Sequence, residues 1–194
     1  MLRAANAAHV TTISFCPRSQ REGTGFSLKQ QRCQCCGQSE TLNWHSVLYG
    51  NDPASQDKVG QAARGQRVFC SDRGQRGGCG RTFSIFPAEV LPRHSITGTL
   101  LWKLLVQLLA RISVKAAAQS LRLPFALETL YHLLGRLRRR LDAVRGRLCR
   151  KEKPPASSQS DPLLQTVEHL QSVFSGSLCP VSEFQFSFQQ PLLG

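Results

Sequence analysis

The sequence predicts an α+β fold in which a small three-stranded sheet precedes a three-helix bundle and a C-terminal helix. Two observations carry this prediction. Between residues 33 and 86, cysteines separate short segments in which apolar residues recur at every second position, as they do in strands. From residue 97 onward, apolar residues recur every three or four positions, as they do in helices. A chain of 194 residues has room for two small domains of these kinds.

The eight cysteines indicate thiol–metal chemistry more than disulfides. Residues 1–25 lack the apolar stretch of a secretory signal and show no periodicity, so we expect a disordered leader on a cytoplasmic protein. Thiols stay reduced in that compartment. No window holds the roughly 18 apolar residues that a membrane span requires, and a membrane-spanning segment is therefore not expected.

The first cysteine pair has the spacing of a zinc knuckle. Cys33 and Cys36 are separated by two residues, and Gly37 follows, which lets the backbone turn toward the sulfurs. Cys70 and Cys79 would complete a tetrahedral site, and the polar, glycine-rich segment between them can leave as a loop and return. The spacing predicts a bound Zn²⁺ with these four ligands.

Two residues leave the ligand set open at this point. Cys35 lies inside the first pair and could shift its register, and His45 could replace one cysteine. We favour His45 as a residue on the polar face of a strand. Disulfides or free thiols are the alternatives to zinc.

The segments around these cysteines predict three short strands, at residues 42–49, 67–69 and 81–86. Three strands and two metal-binding turns form a zinc ribbon, which we assign to residues 26–92. So small a sheet buries little apolar surface. Metal binding would then contribute much of its folding free energy.

Residues 93–152 are predicted to form a helix-turn-helix-like domain. Helices are expected at residues 97–111, at 114–122 after the N-cap Ser113, and from residue 126 to about 149 or 150. The third helix carries an apolar stripe at steps of four and three: Leu130, Leu134, Leu137, Leu141, Val144 and Leu148.

Residues 153–194 are predicted to contain a linker, a helix at 162–174 capped by Asp161, and a tail. The apolar stripe would pack on this last helix in the favoured interpretation, and a homodimer seam is the alternative. The segment from Glu183 to Phe188 alternates like a strand, and a disordered tail is the competing interpretation.

Positive charge is concentrated in one part of the chain. The formal net charge is +13, and the segment from Arg136 to Lys153 carries nine basic and two acidic residues. Arginine predominates, and its planar guanidinium suits phosphate. We therefore expect a polyanionic partner, with nucleic acid ahead of an acidic membrane surface.

In a helix-turn-helix arrangement the start of the third helix reads bases and the later arginines lie near phosphates. The candidate nucleic-acid contacts on this helix are Glu128, Thr129, His132, Arg136, Arg138, Arg139, Arg140, Arg145 and Arg147. Further candidates surround the second metal-binding turn: Arg73, Arg76 and Arg81.

Four segments resemble the N-terminal DNA-recognition region of bacterial insertion-sequence transposases. They are Cys33-x-x-Cys36-Gly37, Arg64-Gly-Gln-Arg-Val-Phe-Cys70, Cys79-Gly-Arg-Thr-Phe-Ser84 and Ser113-x-Lys115-Ala-Ala-Ala118. The resemblance covers about residues 30–150 and implies a zinc ribbon ahead of a helix-turn-helix that binds terminal inverted repeats. The long second turn departs from the shorter form that is common in that family.

Such transposases continue into a nuclease domain whose clustered carboxylates hold two metal ions. The few acidic residues after Arg136 are scattered, and we expect no catalysis. A thiol redox enzyme is also disfavoured, because Cys33-x-x-Cys36 lacks the surrounding βαβ pattern. The expected function is therefore zinc-dependent binding of double-stranded DNA by a transposase-derived or transcription-regulator-like protein. An adaptor that dimerises through the heptad helix and an RNA-binding protein are the alternatives.

Overall fold

A computed structural model describes residues 13–16, 28–51, 61–73 and 77–193. The strands are β1 (Ile13–Cys16), β2 (Leu42–Asn51), β3 (Gln61–Cys70) and β4 (Thr82–Pro87). The helices are α1 (Gly98–Leu109), α2 (Val114–Ser120), α3 (Leu127–Arg139), α4 (Leu141–Leu148), α5 (Pro162–Val173) and α6 (Pro180–Phe188). The α+β class, with antiparallel strands ahead of the helices, is confirmed.

The sheet has the strand order β1-β4-β3-β2. The three predicted strands pair antiparallel, and β2 and β3 extend to ten residues each because they form one long hairpin. A fourth strand, β1, pairs in parallel with β4 and lies within the predicted disordered leader. The leader prediction is wrong for these four residues, because Phe15 is buried and its backbone bonds with the distant side chain of Gln189. The other leader residues lie outside the described ranges.

The first two helices occur where the sequence predicts them. Thr97 and Ser113 cap them, each accepting a hydrogen bond from a backbone N–H three residues later. The predicted long third helix is instead two helices, because the backbone leaves helical geometry at Arg140, with φ −105° and ψ 0°. α3 packs against α2, whereas α4 packs along α5. The break has no proline and no capping side chain, so the local sequence does not predict it.

The apolar stripe is buried within the chain. Five of its six side chains belong to one core that also contains side chains of α5: Leu134, Leu137, Leu141, Val144, Leu148, Leu163, Val167 and Leu170. The sixth, Leu130, packs with Leu104 of α1 and Ala117 of α2 in a smaller cluster. The favoured prediction, that the stripe packs on the last predicted helix, is confirmed for α4 and α5.

The segment predicted as a strand or a disordered tail is helix α6, and that prediction is wrong. Phe184 and Phe188 are four residues apart, so they also share one face of a helix, with ring centroids 4.9 Å apart. Phe186 is left 40% exposed. Apolar residues at every second position are therefore compatible with one face of a helix as well as with a strand. Packing against the core of the bundle favours the helix here.

Helix α6 also fastens the sheet to the helices. Gln185 is fully buried, and its side-chain amide donates to the carbonyl oxygens of Ala88 at 2.6 Å and Val90 at 3.0 Å, just beyond β4. Its side-chain oxygen accepts from Leu192 N at 3.2 Å. The C-terminal segment thus holds the end of the sheet against the helices.

Candidate metal centre and basic surface

Four sulfurs converge where the two cysteine turns meet. The Sγ atoms of Cys33, Cys36, Cys70 and Cys79 lie within 4.8 Å of one another. Cys33 to Cys79 and Cys36 to Cys70 are both 3.8 Å apart. Four sulfurs bonded at about 2.3 Å to a tetrahedral ion are separated by roughly 3.8 Å. The spacing is thus compatible with a metal ion at the centre.

The two turns are built alike despite their different lengths. Gly37 N donates to Cys33 O at 2.7 Å, and Gly80 N donates to Cys70 O at 3.0 Å. Both glycines have positive φ, 75° and 68°, which favours glycine at these positions. The long second turn therefore ends in the same local geometry as the short first one.

The chain passes close to the Cys70 sulfur at Gly78, where the loop of the second turn returns to the site. A Cβ atom on Gly78 would collide with the carbonyl oxygen of Ser71 and approach the sulfur of Cys70 to 3.0 Å. The chain can therefore pass this close to the sulfurs only without a side chain at Gly78. Residues 74–76 at the tip, including the predicted contact Arg76, lie outside the described ranges.

The thiols differ strongly in acidity. Burial raises the pKa of Cys33 to about 12. Burial also acts to raise the pKa of Cys70, but the hydrogen bond between its sulfur and the Thr41 hydroxyl and the one that the sulfur accepts from the Cys79 backbone N–H outweigh burial and lower this pKa to about 7. Thr41 Oγ1 lies 3.2 Å from the Cys70 sulfur. Four crowded thiolates repel one another, and a divalent cation would remove that cost.

The alternative ligands lie outside the cluster. Cys35 is instead partly buried against the small apolar core of the sheet, and its backbone N–H donates to the Cys33 sulfur at 3.4 Å. His45 is exposed on β2, with Nδ1 3.2 Å from Ser46 Oγ. Within the described ranges, the four cysteines are the only group of three or more potential ligands close enough to share an ion.

The predicted nucleic-acid contacts divide into two sets. The exposed set is Arg73, Arg81, Glu128, Thr129, His132, Arg136, Arg138 and Arg139. Arg138 nevertheless forms an ion pair with Asp161 at 2.9 Å. Arg145 and Arg147 are partly buried and donate to Gln165 and Gln190. Arg140 Nε is buried and has no hydrogen-bond partner among the described residues. The predicted contacts between residues 136 and 147 are thus divided between the exposed side of α3 and partly buried positions in the bundle.

Sequence reasoning missed a cleft of about 260 Å³ beside α3. Arg93 and His94, from the connector between β4 and α1, line it together with His132 and Arg136. The sequence shows Arg93 and His94 as a basic pair directly after Pro92, but no local pattern indicates that this connector faces α3.

None of the helices within the described ranges is long and apolar enough to cross a membrane. The chain matches no family model, and neither curated proteins nor solved structures give a match. The resemblance to insertion-sequence transposases therefore stays a prediction from the residues quoted above.

Proposed function

We propose that this chain is a non-enzymatic, zinc-dependent DNA-binding protein, either transposase-derived or a transcription regulator. The observation that carries the proposal is a stripe on α3. Thr129, His132, Arg136 and Arg139 follow one another at spacings of three and four residues, and all four are exposed. A basic stripe on one helix face is what a helix uses to approach the phosphates and base edges of a groove.

The packing of the neighbouring helices supports the helix-turn-helix interpretation of this unit. The short α2 packs against both α1 and α3, with Ala117 fully buried between Leu104 and Leu130. In such units the third helix presents its exposed side to the major groove. This arrangement leaves the α3 stripe on the side away from the core.

Zinc is the ion that suits the candidate centre best. Four cysteine sulfurs at tetrahedral spacing favour Zn²⁺, and four protein ligands leave no open position for a substrate. The ion would act structurally. The apolar part of the ribbon core is small, consisting mainly of Leu28, Leu42, Val68 and Phe83, so the ion would hold both turns to the sheet.

The absence of catalysis is also part of the proposal. Two-metal nucleases need carboxylates gathered around their ions. The acidic residues after Arg136 are few and scattered along the sequence, and this sequence observation is the basis for proposing binding without phosphoryl transfer.

The test is a binding titration of the zinc-loaded protein with random-sequence duplex DNA at several salt concentrations. About four phosphate contacts would weaken binding roughly a hundredfold for a fourfold rise in salt. Arg139→Ala should weaken binding more than Lys103→Ala, which removes one exposed charge from α1. Binding that does not depend on salt, or equal effects of the two substitutions, would contradict the proposal.

RNA binding is a second candidate, and one observation favours it. Trp44 and Tyr49 on the edge strand β2 are 52% and 63% exposed, and exposed aromatic rings stack on unpaired bases. The same titration with single-stranded RNA separates the two functions, since tighter binding to RNA would select this one. The dimerising adaptor has no comparable support, because the heptad side chains are buried in the bundle.

A further inference from the structure

The cleft beside α3 is formed by two parts of the chain that are far apart in sequence. On one side is the connector that joins the sheet to the bundle, and on the other is the first half of α3. The polar residues that line it are Arg93, His94, Ser95, Thr129, His132 and Arg136. The remaining lining side chains are apolar and form the packed wall behind them.

Every polar side chain in this lining can donate a hydrogen bond, and none is a carboxylate. The two arginines come from opposite sides, so an anion between them would receive charge-assisted hydrogen bonds from both. Arg93 also has φ 65°, a conformation uncommon for a residue other than glycine. Strained backbone of this kind tends to occur where a side chain must be placed for function.

His94 is partly buried in this cleft. Burial lowers its pKa, and the nearby charges of Arg136 and Arg64 lower it further. Its Nε2 atom is buried and has no hydrogen-bond partner among the described residues. A site with several cations and no compensating carboxylate in its lining favours an anionic ligand.

We propose that this cleft binds one phosphate group of the DNA backbone. Arg93 and Arg136 would hold its oxygens from the two sides, and the hydroxyls of Ser95 and Thr129 would donate to it. That the phosphate belongs to DNA rests on the proposed function. That the cleft binds a phosphate anion rests only on its lining residues. Such a contact would tie the connector and α3 to the same phosphate, and so set the angle at which the sheet meets the duplex.

The first experiment tests the cleft without DNA. Inorganic phosphate is titrated into the zinc-loaded full chain at pH about 6.5, near the ordinary pKa of histidine, while the histidine ring signals are followed by NMR. We expect saturable shifts for His94 and His132 with phosphate but not with chloride at equal ionic strength. His169, which is 2% exposed and lies outside the cleft lining, is the internal reference.

Matched substitutions decide whether the cleft is responsible. Arg136→Gln should weaken phosphate binding by about fivefold or more, since it removes one of two charged contacts. Arg150→Gln removes the same charge from an exposed residue that follows α4, outside both the lining and the proposed DNA contacts, and should leave phosphate binding unchanged. Equal shifts with chloride, no shift of His94, or equal effects of the two substitutions would each overturn the inference.

A second experiment separates this inference from the proposed function. Arg93→Gln should reduce the slope of log affinity for DNA against log salt concentration by about one, the loss expected for one phosphate contact. If the protein binds duplex DNA while phosphate leaves His94 unshifted, the cleft inference is wrong and the function stands. If phosphate shifts His94 but no duplex binds, the cleft is a phosphate site and the proposed DNA-binding function is wrong.

Discussion

Serine in place of Cys36 removes one sulfur from the candidate metal centre, and serine in place of Cys35 makes the same chemical change one position away. Cys36 is exposed, whereas Cys35 is partly buried against the small apolar core of the sheet. If these cysteines mattered only through packing, Cys35→Ser would be the more harmful substitution. If the sulfurs hold a metal ion, Cys36→Ser must be the more harmful one.

The expected size of the effect follows from the ligand count. Structural zinc sites bind with apparent free energies of about 10–16 kcal/mol. Shared among four equivalent sulfurs, this is roughly 3 kcal/mol per ligand, or about a hundredfold in zinc affinity. We expect Cys36→Ser to weaken zinc binding by at least that factor, and Cys35→Ser to change it less than about threefold, because only its backbone N–H contacts a ligand sulfur.

The assay is zinc competition against a chromophoric chelator at fixed pH, together with metal analysis of each purified variant. The wild-type chain should carry one zinc ion per molecule. A Cys36→Ser variant that holds zinc as tightly as the wild type would refute the four-sulfur site. Equal losses in both variants would mean that disturbed packing, and not the loss of a ligand, explains the weaker zinc binding.

Three further predictions concern other parts of the molecule. Gln185→Ala should lower the free energy of unfolding by about 3 kcal/mol, because it leaves three buried backbone groups without partners. Gln119 is exposed, and Gln119→Ala should change this free energy by less than about 0.5 kcal/mol. Denaturant titration measures both values. The pKa of His94 is lowered by folding, so the folded state favours the neutral ring. The contribution of His94 to folding stability is therefore complete above pH about 6.5 and is lost as pH falls through the lower folded-state pKa. His94→Gln should flatten the pH dependence of the free energy of unfolding in that range. Gly78→Ala should weaken zinc binding through its collision with the neighbouring backbone, while Gly146→Ala, which meets open space on α4, should leave zinc affinity unchanged and raise stability by about 0.5–1 kcal/mol.

The candidate metal centre could be predicted because its signal is local. A knuckle is a short turn, and the sequence around Cys33 and Cys36 contains the spacing and the glycine that such a turn needs. The second pair was predictable for a related reason, since glycine follows Cys79 just as it follows Cys36. Helix caps at Ser113 and Asp161 were readable in the same way, because a cap is a contact between near neighbours.

The errors fall where contacts between distant residues decide the outcome. Residues 13–16 form a strand only because β4 offers an edge and Gln189 reaches their backbone from the C-terminal segment. The break at Arg140 separates a helix that packs on α2 from one that packs on α5, and neither partner is adjacent in sequence. No local pattern contains that information.

What the sequence by itself determined is the chemistry of this protein: four sulfurs in two turns, an excess of arginine, and helices with defined starts. These depend on residue type and on spacing within a few positions. Only the tertiary structure decided which of the cations remain exposed, that the connector with Arg93 faces α3, and that α6 fastens the sheet to the bundle. The physical reason is that burial and charge proximity are properties of the packed chain, and packing joins residues that the sequence keeps far apart.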